Sequence, residues 1–198
     1  MRANRLALTG PASSEHPVAS RERVLAWFAS RGWASFDFQR ETWKAIAAGE
    51  SGLVHAATGT GKTYAVWMGA LLEAPPAESK ASPPLRILWL TPLRALASAT
   101  EAALMAPIRD RDLGWTVETR TSDTGTRTRN RQRTRLPTTL ITTPESLSLL
   151  LSRPHARERF EHLPLVVWAE RHELLAPNPG GQTELAPPPP PTLGPRLR

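Results

Sequence analysis

Cysteine is absent from the 198-residue chain, tyrosine occurs once, and lysine is confined to Lys44, Lys62 and Lys80. Without thiols there is no disulfide framework and no thiolate metal centre. No apolar run approaches the roughly 20 residues that a membrane-spanning helix needs. Met1 to Ser20 also lacks the apolar centre of a signal peptide, so the expectation is a cytoplasmic protein with no membrane partner. Acidic residues are outnumbered, 18 Asp+Glu against 25 Lys+Arg, giving a net charge of +7. With lysine so scarce, that excess is nearly all arginine. The planar guanidinium fork matches phosphate bidentately, which suits a polyanionic partner, although an arginine-rich proteome would yield the same composition. A chain of this length holds one core and hardly two.

Against these absences stands one strong local signal, Ala56-Ala57-Thr58-Gly59-Thr60-Gly61-Lys62-Thr63. The apolar Gly52 to His55 before it reads as a buried strand and Tyr64 to Leu72 after it as a helix, the context a phosphate-binding loop requires. Gly59 and Gly61 let the backbone turn several N–H groups onto one anion, and the helix start adds its positive dipole end. Lys62 then reaches the outer phosphates, and the Thr63 hydroxyl ligates the magnesium that bridges them. The expected cofactors are ATP and Mg2+.

The first twenty residues, with Gly10, Pro11 and Pro17, read as an unstructured lead-in (1–20). Helices are expected over Arg21–Ser30 and Phe38–Ala48, each stopped by a glycine, with an aromatic turn between them. Further on, short apolar runs alternate with helical patterns. Strands are expected at Arg86–Leu90, Trp115–Thr119, Thr138–Thr142 and Leu165–Trp168, and helices at Lys62–Glu73, Leu93–Met105 and Glu145–Leu151. That alternation defines an α/β fold, a parallel sheet with helices on both faces. One domain is expected over 21–175. From 176 to 198 the chain turns proline-rich, with Pro187 to Pro191 consecutive, and such a tail builds neither helix nor sheet interior.

Loops that follow parallel strands share one rim, where ligands of open α/β folds bind. Two of these loops repeat a design: Thr91-Pro92-Leu93-Arg94 and Thr143-Pro144-Glu145-Ser146 each set Thr then Pro at a strand-to-helix junction. Thr caps the helix while Pro takes its first position. The free N–H groups, with Arg94 beside the first loop, suit two phosphates of a nucleic-acid backbone. Taken singly, Thr-Pro merely starts helices; paired on the phosphate-loop rim, the two favour nucleic acid. The ladder Arg127, Arg129, Arg131, Arg133 and Arg135 leaves no apolar face for a core. It reads as a solvated surface segment, with phosphate contact as the lesser option.

With these residues in hand, the chain resembles the amino-terminal motor domain of a superfamily 2 DExH-box helicase. Within that group it is similar to the large helicase-related proteins, in particular the bacterial ligase-associated DNA damage response helicases. The resemblance rests on motif order. Arg31-Gly32-Trp33 and Phe36 to Gln39 come first, followed by Thr58 to Thr63 and by Thr91 to Ala97. Next come Glu118 to Thr121 with Asp123-Thr124, Arg131-Gln132-Arg133, and Thr142 to Leu147. Last are Glu170 and His172 to Leu175. The resemblance implies a RecA-like first motor lobe in which Gln39 hydrogen-bonds adenine with Phe36 or Trp33 near it. Thr58, Gly59, Thr60, Gly61, Lys62 and Thr63 hold ATP and Mg2+. Thr91, Arg94, Thr143, Glu145 and Ser146 contact DNA. Lys62 and Glu170 serve catalysis and His172 couples it to DNA. It further implies ATP hydrolysis driving 3′-5′ translocation in DNA repair, with DNA ligase or a nuclease as partners.

The chain departs from that pattern at Ala169-Glu170-Arg171-His172, where the family carries Asp-Glu-x-His; Ala169 offers no oxygen to magnesium. Trp168 replaces a small branched residue and Ala57 replaces a proline. Nothing matches the Ser-Ala-Thr motif that follows in the family, nor a second lobe with its arginine finger. Turnover by this chain alone is therefore expected to be poor. Three alternatives stay open. One is a nucleotide-responsive DNA-binding module without catalysis, another a truncated product, and the third a small-molecule kinase.

Overall fold

The protein's structure, a computed structural model, describes residues 21–73, 84–110, 114–153, 156–161 and 163–169. The expected lead-in (1–20), the tail (176–198), Glu170 and His172 lie outside the described residues. At the centre is a parallel sheet of four strands: β1 (Ile87–Leu90), β2 (Val117–Arg120), β3 (Thr139–Thr142) and β4 (Leu165–Trp168), in spatial order β2-β3-β1-β4. Parallel strands need covered faces and read as unbroken apolar runs. β1, Ile-Leu-Trp-Leu, is buried throughout.

Side chains alternate across the pleat, and the register carries that alternation from strand to strand. Trp89 lines up with Ile141 and Val167 on one face, while Leu88 lines up with Leu140 and Val166 on the other. The first face belongs to a core shared with α1 (Arg21–Ala29), α2 (Asp37–Ala47), α3 (Lys62–Leu72) and α4 (Arg94–Arg109), through Val24, Trp43, Trp67 and Leu104. The second packs on α6 (Pro144–Leu151) and α7 (Ala156–Phe160), through Leu150 and Phe160. Helix α5 (Thr126–Thr134) joins β2 to β3.

Two expectations fail. Gly52 to His55 is not a strand: it lies outside the sheet, with Leu53 85% exposed. Among the described residues β1 pairs with β3 and β4, and β4 pairs with β1 alone. With no described neighbour to take its backbone groups, an apolar tetrapeptide has no ladder to join. Second, α4 does not stop near Met105 but runs through Pro107 to Arg109. A proline cannot donate to the carbonyl four residues back, and that carbonyl, Ala103 O, accepts instead from Tyr64 Oη at 3.4 Å. The arginine ladder lies at the surface as expected, with Arg127, Arg131, Arg133 and Arg135 exposed, and its stretch from Arg127 to Arg133 is wound into α5. α5 is polar almost all round, yet Gln132 on it is fully buried. The short helix α7 was not foreseen either.

Candidate nucleotide and nucleic-acid site

Both loop glycines adopt the left-handed backbone that side chains resist, φ 82° at Gly59 and 84° at Gly61. Gly61 is the N-cap of α3 and Lys62 its first residue, so the loop ends on free helix N–H groups. Thr60 Oγ1 donates to Ala57 O at 2.7 Å, closing the turn. Lys62 folds back over it, its Nζ donating to Ala56 O at 2.6 Å and Ala57 O at 3.0 Å. Both partners are neutral carbonyls, weaker acceptors for an ammonium than a charged oxygen. Thr58 and Thr63 flank the turn, exposed and half-buried respectively.

Gln39 is the best-anchored residue of the site. Its Oε1 accepts from the Phe36 N–H at 3.0 Å, capping the start of α2, and its Nε2 donates to Gly61 O at 3.1 Å. The side chain is 1% exposed, so α2 and the phosphate loop are joined through one amide. These two bonds use one of the two amide N–H groups and one of the two oxygen lone pairs. Trp33 and Phe36, both named as adenine neighbours, part company. Trp33 packs among Trp27, Phe28 and Tyr64, whereas Phe36 is exposed and stacks on Phe38 at 5.9 Å. Sequence reasoning missed the Gln39–Gly61 bond, because nothing in spacing shows that residues 22 apart meet.

A Cβ on Gly61 would lie 2.9 Å from Gln39 Nε2, on a backbone already at positive φ. Gly61→Ala is therefore expected to cost about 1–2 kcal/mol of strain and to weaken nucleotide binding at least tenfold, by the roughly 1.4 kcal/mol that each factor of ten requires. Thermal melting and ATP titration measure the two effects. Unchanged ATP affinity would refute a dependence of nucleotide binding on the Gly61 turn and its link to Gln39.

On the rim, β1 and β3 end side by side, Leu90 opposite Thr142, with Thr91 N donating to Thr142 O at 3.0 Å. This brings the two Thr-Pro loops together as expected. Thr143 caps α6 as foreseen, its hydroxyl accepting from Ser146 N at 3.4 Å with Pro144 at the first position; Glu145 is exposed and Ser146 half-buried beside it. Thr91 does not cap α4. The helix starts at Arg94, two residues past Pro92, with Leu93 as N-cap. The Thr91 hydroxyl is held inward by Leu93 O at 3.4 Å. Arg94 reaches Ser122 Oγ at 2.6 Å and Asp123 at 3.2 Å, tying the Thr91 loop to the turn after β2.

The phosphate loop does not join this rim through a strand of its own. α3 instead meets the second half of α4, where Trp67 Nε1 donates to Leu104 O at 3.0 Å, and Trp115, which precedes β2. Burial raises the Tyr64 phenol above its usual pKa, with Arg31 lowering and Asp110 raising it in turn. At the end of β4, Ala169 N donates to Leu90 O at 2.8 Å, so a methyl group stands on the rim where the resembling family has a carboxylate. Among the described residues no cluster of three or more His, Cys, Asp or Glu could hold a metal. The donors present would suit a nucleotide whose magnesium Thr63 would help to hold, a cation that would supply neutralisation of charge on the outer phosphates.

A parallel α/β sheet with a glycine-rich loop opening a helix places the chain among RecA-like nucleotide-binding domains. The profile of DEAD/DEAH box helicases matches residues 36–185, and the chain belongs to that family. It is similar to the Mycolicibacterium smegmatis protein named Lhr helicase/probable uracil glycosylase, 32% identical over 170 residues, which covers 81% of this chain and 11% of that protein. A Thermococcus barophilus ATP-dependent helicase Lhr-Core protein 2 is 31% identical over 163 residues, covering 76% and 19%. The solved structure of Mycobacterium smegmatis helicase Lhr bound to ssDNA and AMP-PNP matches at a TM-score of 0.60 and 30% identity, over 73% of this chain and 19% of that one. The chain thus spans between a tenth and a fifth of the relatives it matches. No described helix is long and apolar enough to cross a membrane.

Proposed function

We propose that this chain is the ATP-binding lobe of an ATP-dependent DNA helicase of the ligase-associated type, whose ATP hydrolysis drives 3′-5′ translocation on DNA during repair in the cytoplasm. The observation that carries the reading is the phosphate loop, with Gly59 and Gly61 in left-handed conformation directly ahead of Lys62 at the first position of α3. Gln39, Thr58 to Thr63 and Mg2+ hold the nucleotide in this reading. Thr91, Arg94, Thr143, Glu145 and Ser146 contact the DNA strand. Glu170 orients the attacking water and His172 couples it to DNA, with a ligase or nuclease as partner.

Ala169 favours a second reading, a nucleotide-responsive DNA-binding module that does not turn over. Without a carboxylate at that position, the metal has no protein anchor besides Thr63 among the described residues. Three measurements on the purified chain decide the matter: ATP calorimetry with magnesium, single-strand DNA binding at two salt concentrations, and phosphate release. ATP binding and salt-sensitive DNA binding with background phosphate release are expected. DNA-stimulated hydrolysis lost in Lys62→Ala would refute the impaired turnover, and absence of heat with both ATP and ADP would end the nucleotide reading.

A further inference from the structure

Neither the phosphate loop nor the rim uses the arginine ladder. Winding it into α5 sorts its members by partner. Arg131 pairs with Glu118 at 2.7 Å, and the other oxygen of Glu118 accepts from Gln132 Nε2 at 2.9 Å. Both oxygens of the carboxylate on this face of β2 are thereby engaged. Next to it, Arg120 is 7% exposed and among the described residues meets only neutral acceptors, Gln132 Oε1 at 3.2 Å and Arg129 O at 3.4 Å. Arg129 gives a terminal nitrogen to Ser122 O, while its Nε is enclosed with no hydrogen-bond partner among the described residues.

Arg153, just past α6, and Arg133 complete the group. Burial first, and then the charges of Arg153, Arg129 and Arg133, hold the Arg120 guanidinium below its ordinary pKa. None of these four arginines forms an ion pair among the described residues. Arg120 is buried while Arg129 and Arg153 are half-buried and Arg133 is exposed; like charges gathered beside a buried one repel, and an enclosed donor without a partner is costly. An anion with several oxygens, seated on the accessible side of the group, relieves the repulsion. The corner also adjoins the rim, because Arg120 lies opposite Thr142, one residue before the cap of α6.

We propose that Arg129, Arg133 and Arg153, backed by Arg120, form a site for one phosphodiester group of a polynucleotide strand. This rests on the nucleic-acid reading above and adds to it a contact outside the Thr91 and Thr143 loops. A strand is favoured over a free phosphate ion because Arg120 stands opposite Thr142, next to the Thr143 helix start, so that one polyanion presenting several phosphates can serve both places.

The test measures binding of a fluorescein-labelled oligodeoxythymidine to the full chain as a function of salt. Arg129→Gln/Arg133→Gln is compared with Arg153→Gln, which lies outside α5. Arg21→Gln/Arg109→Gln serves as a charge-matched control, its arginines being exposed on α1 and α4. The slope of log affinity against log salt is expected to flatten by about 0.7 for each phosphate that the protein no longer neutralises, in both test variants and not in the control, with melting curves unchanged. Wild-type slopes in both test variants, with binding intact, overturn this proposal and leave the nucleic-acid reading standing. Failure of the unsubstituted chain to bind the oligonucleotide overturns both. Inorganic phosphate at constant ionic strength provides the last arm. If it raises the melting temperature of the unsubstituted chain but not of the double variant, while all oligonucleotide slopes agree, the site belongs to free phosphate and the polynucleotide proposal falls.

Discussion

Trp67→Ala is expected to lower the unfolding free energy by about 3–5 kcal/mol, the usual range for deleting a fully buried aromatic side chain. Trp67 is 0% exposed. It meets Trp115 edge-on at 6.0 Å and holds α4 through the bond to Leu104 O. Its loss empties the seam between α3 and α4 and removes a buried hydrogen bond together with the ring. Native domains are stable by only about 5–15 kcal/mol, so much of the folded population would go. The urea midpoint measures this, and Trp33→Ala provides the contrast. That ring is 47% exposed and should shift the midpoint distinctly less. Equal shifts would mean that the buried seam contributes no more than the surface aromatic cluster. Since α3 opens at Lys62, loosening this seam also frees the start of the helix that presents the phosphate loop.

Lys62→Ala is expected to leave folding almost untouched and to reduce ATP affinity by about ten- to a hundredfold, the equivalent of a lost charged hydrogen bond of roughly 1.5–3 kcal/mol. The protein partners of Nζ are the carbonyls of Ala56 and Ala57 on its own turn, and the turn keeps its Thr60 bond without the lysine. Calorimetry with ATP and magnesium, set beside a melting curve, separates the two effects. A variant that melts normally and binds ATP as tightly as the unsubstituted chain would remove Lys62 from the site. Binding of the oligonucleotide without nucleotide should not change, because the Thr143 helix start does not depend on this side chain.

How far the sequence could be read depended on the range of the force involved. The glycine conformations ahead of Lys62, and Thr143 capping α6 behind Pro144, follow from contacts within a few residues, and the structure reproduces both. Thr91-Pro92 has the same local spelling, yet its helix begins at Arg94 and its hydroxyl turns inward. The helix expected over Leu93–Met105 runs on through Pro107, where Tyr64, 39 residues away from Ala103, takes up the carbonyl that the proline leaves free. Gly52 to His55 has the composition of a buried strand, but a strand exists only through its neighbours, and none among the described residues pairs with it.

By themselves, the order and spacing of residues determined the class of domain, the anion-binding turn and the polarity of the alternating segments, because propensity, capping and side-chain periodicity act locally. Tertiary structure alone decided which groups are neutralised and which are left wanting. It joined Gln39 to Gly61, spent Glu118 on Arg131 and Gln132, and enclosed Arg120 among other arginines. Charge and hydrogen-bond satisfaction depend on distances across the fold, and the linear order of residues does not contain those distances.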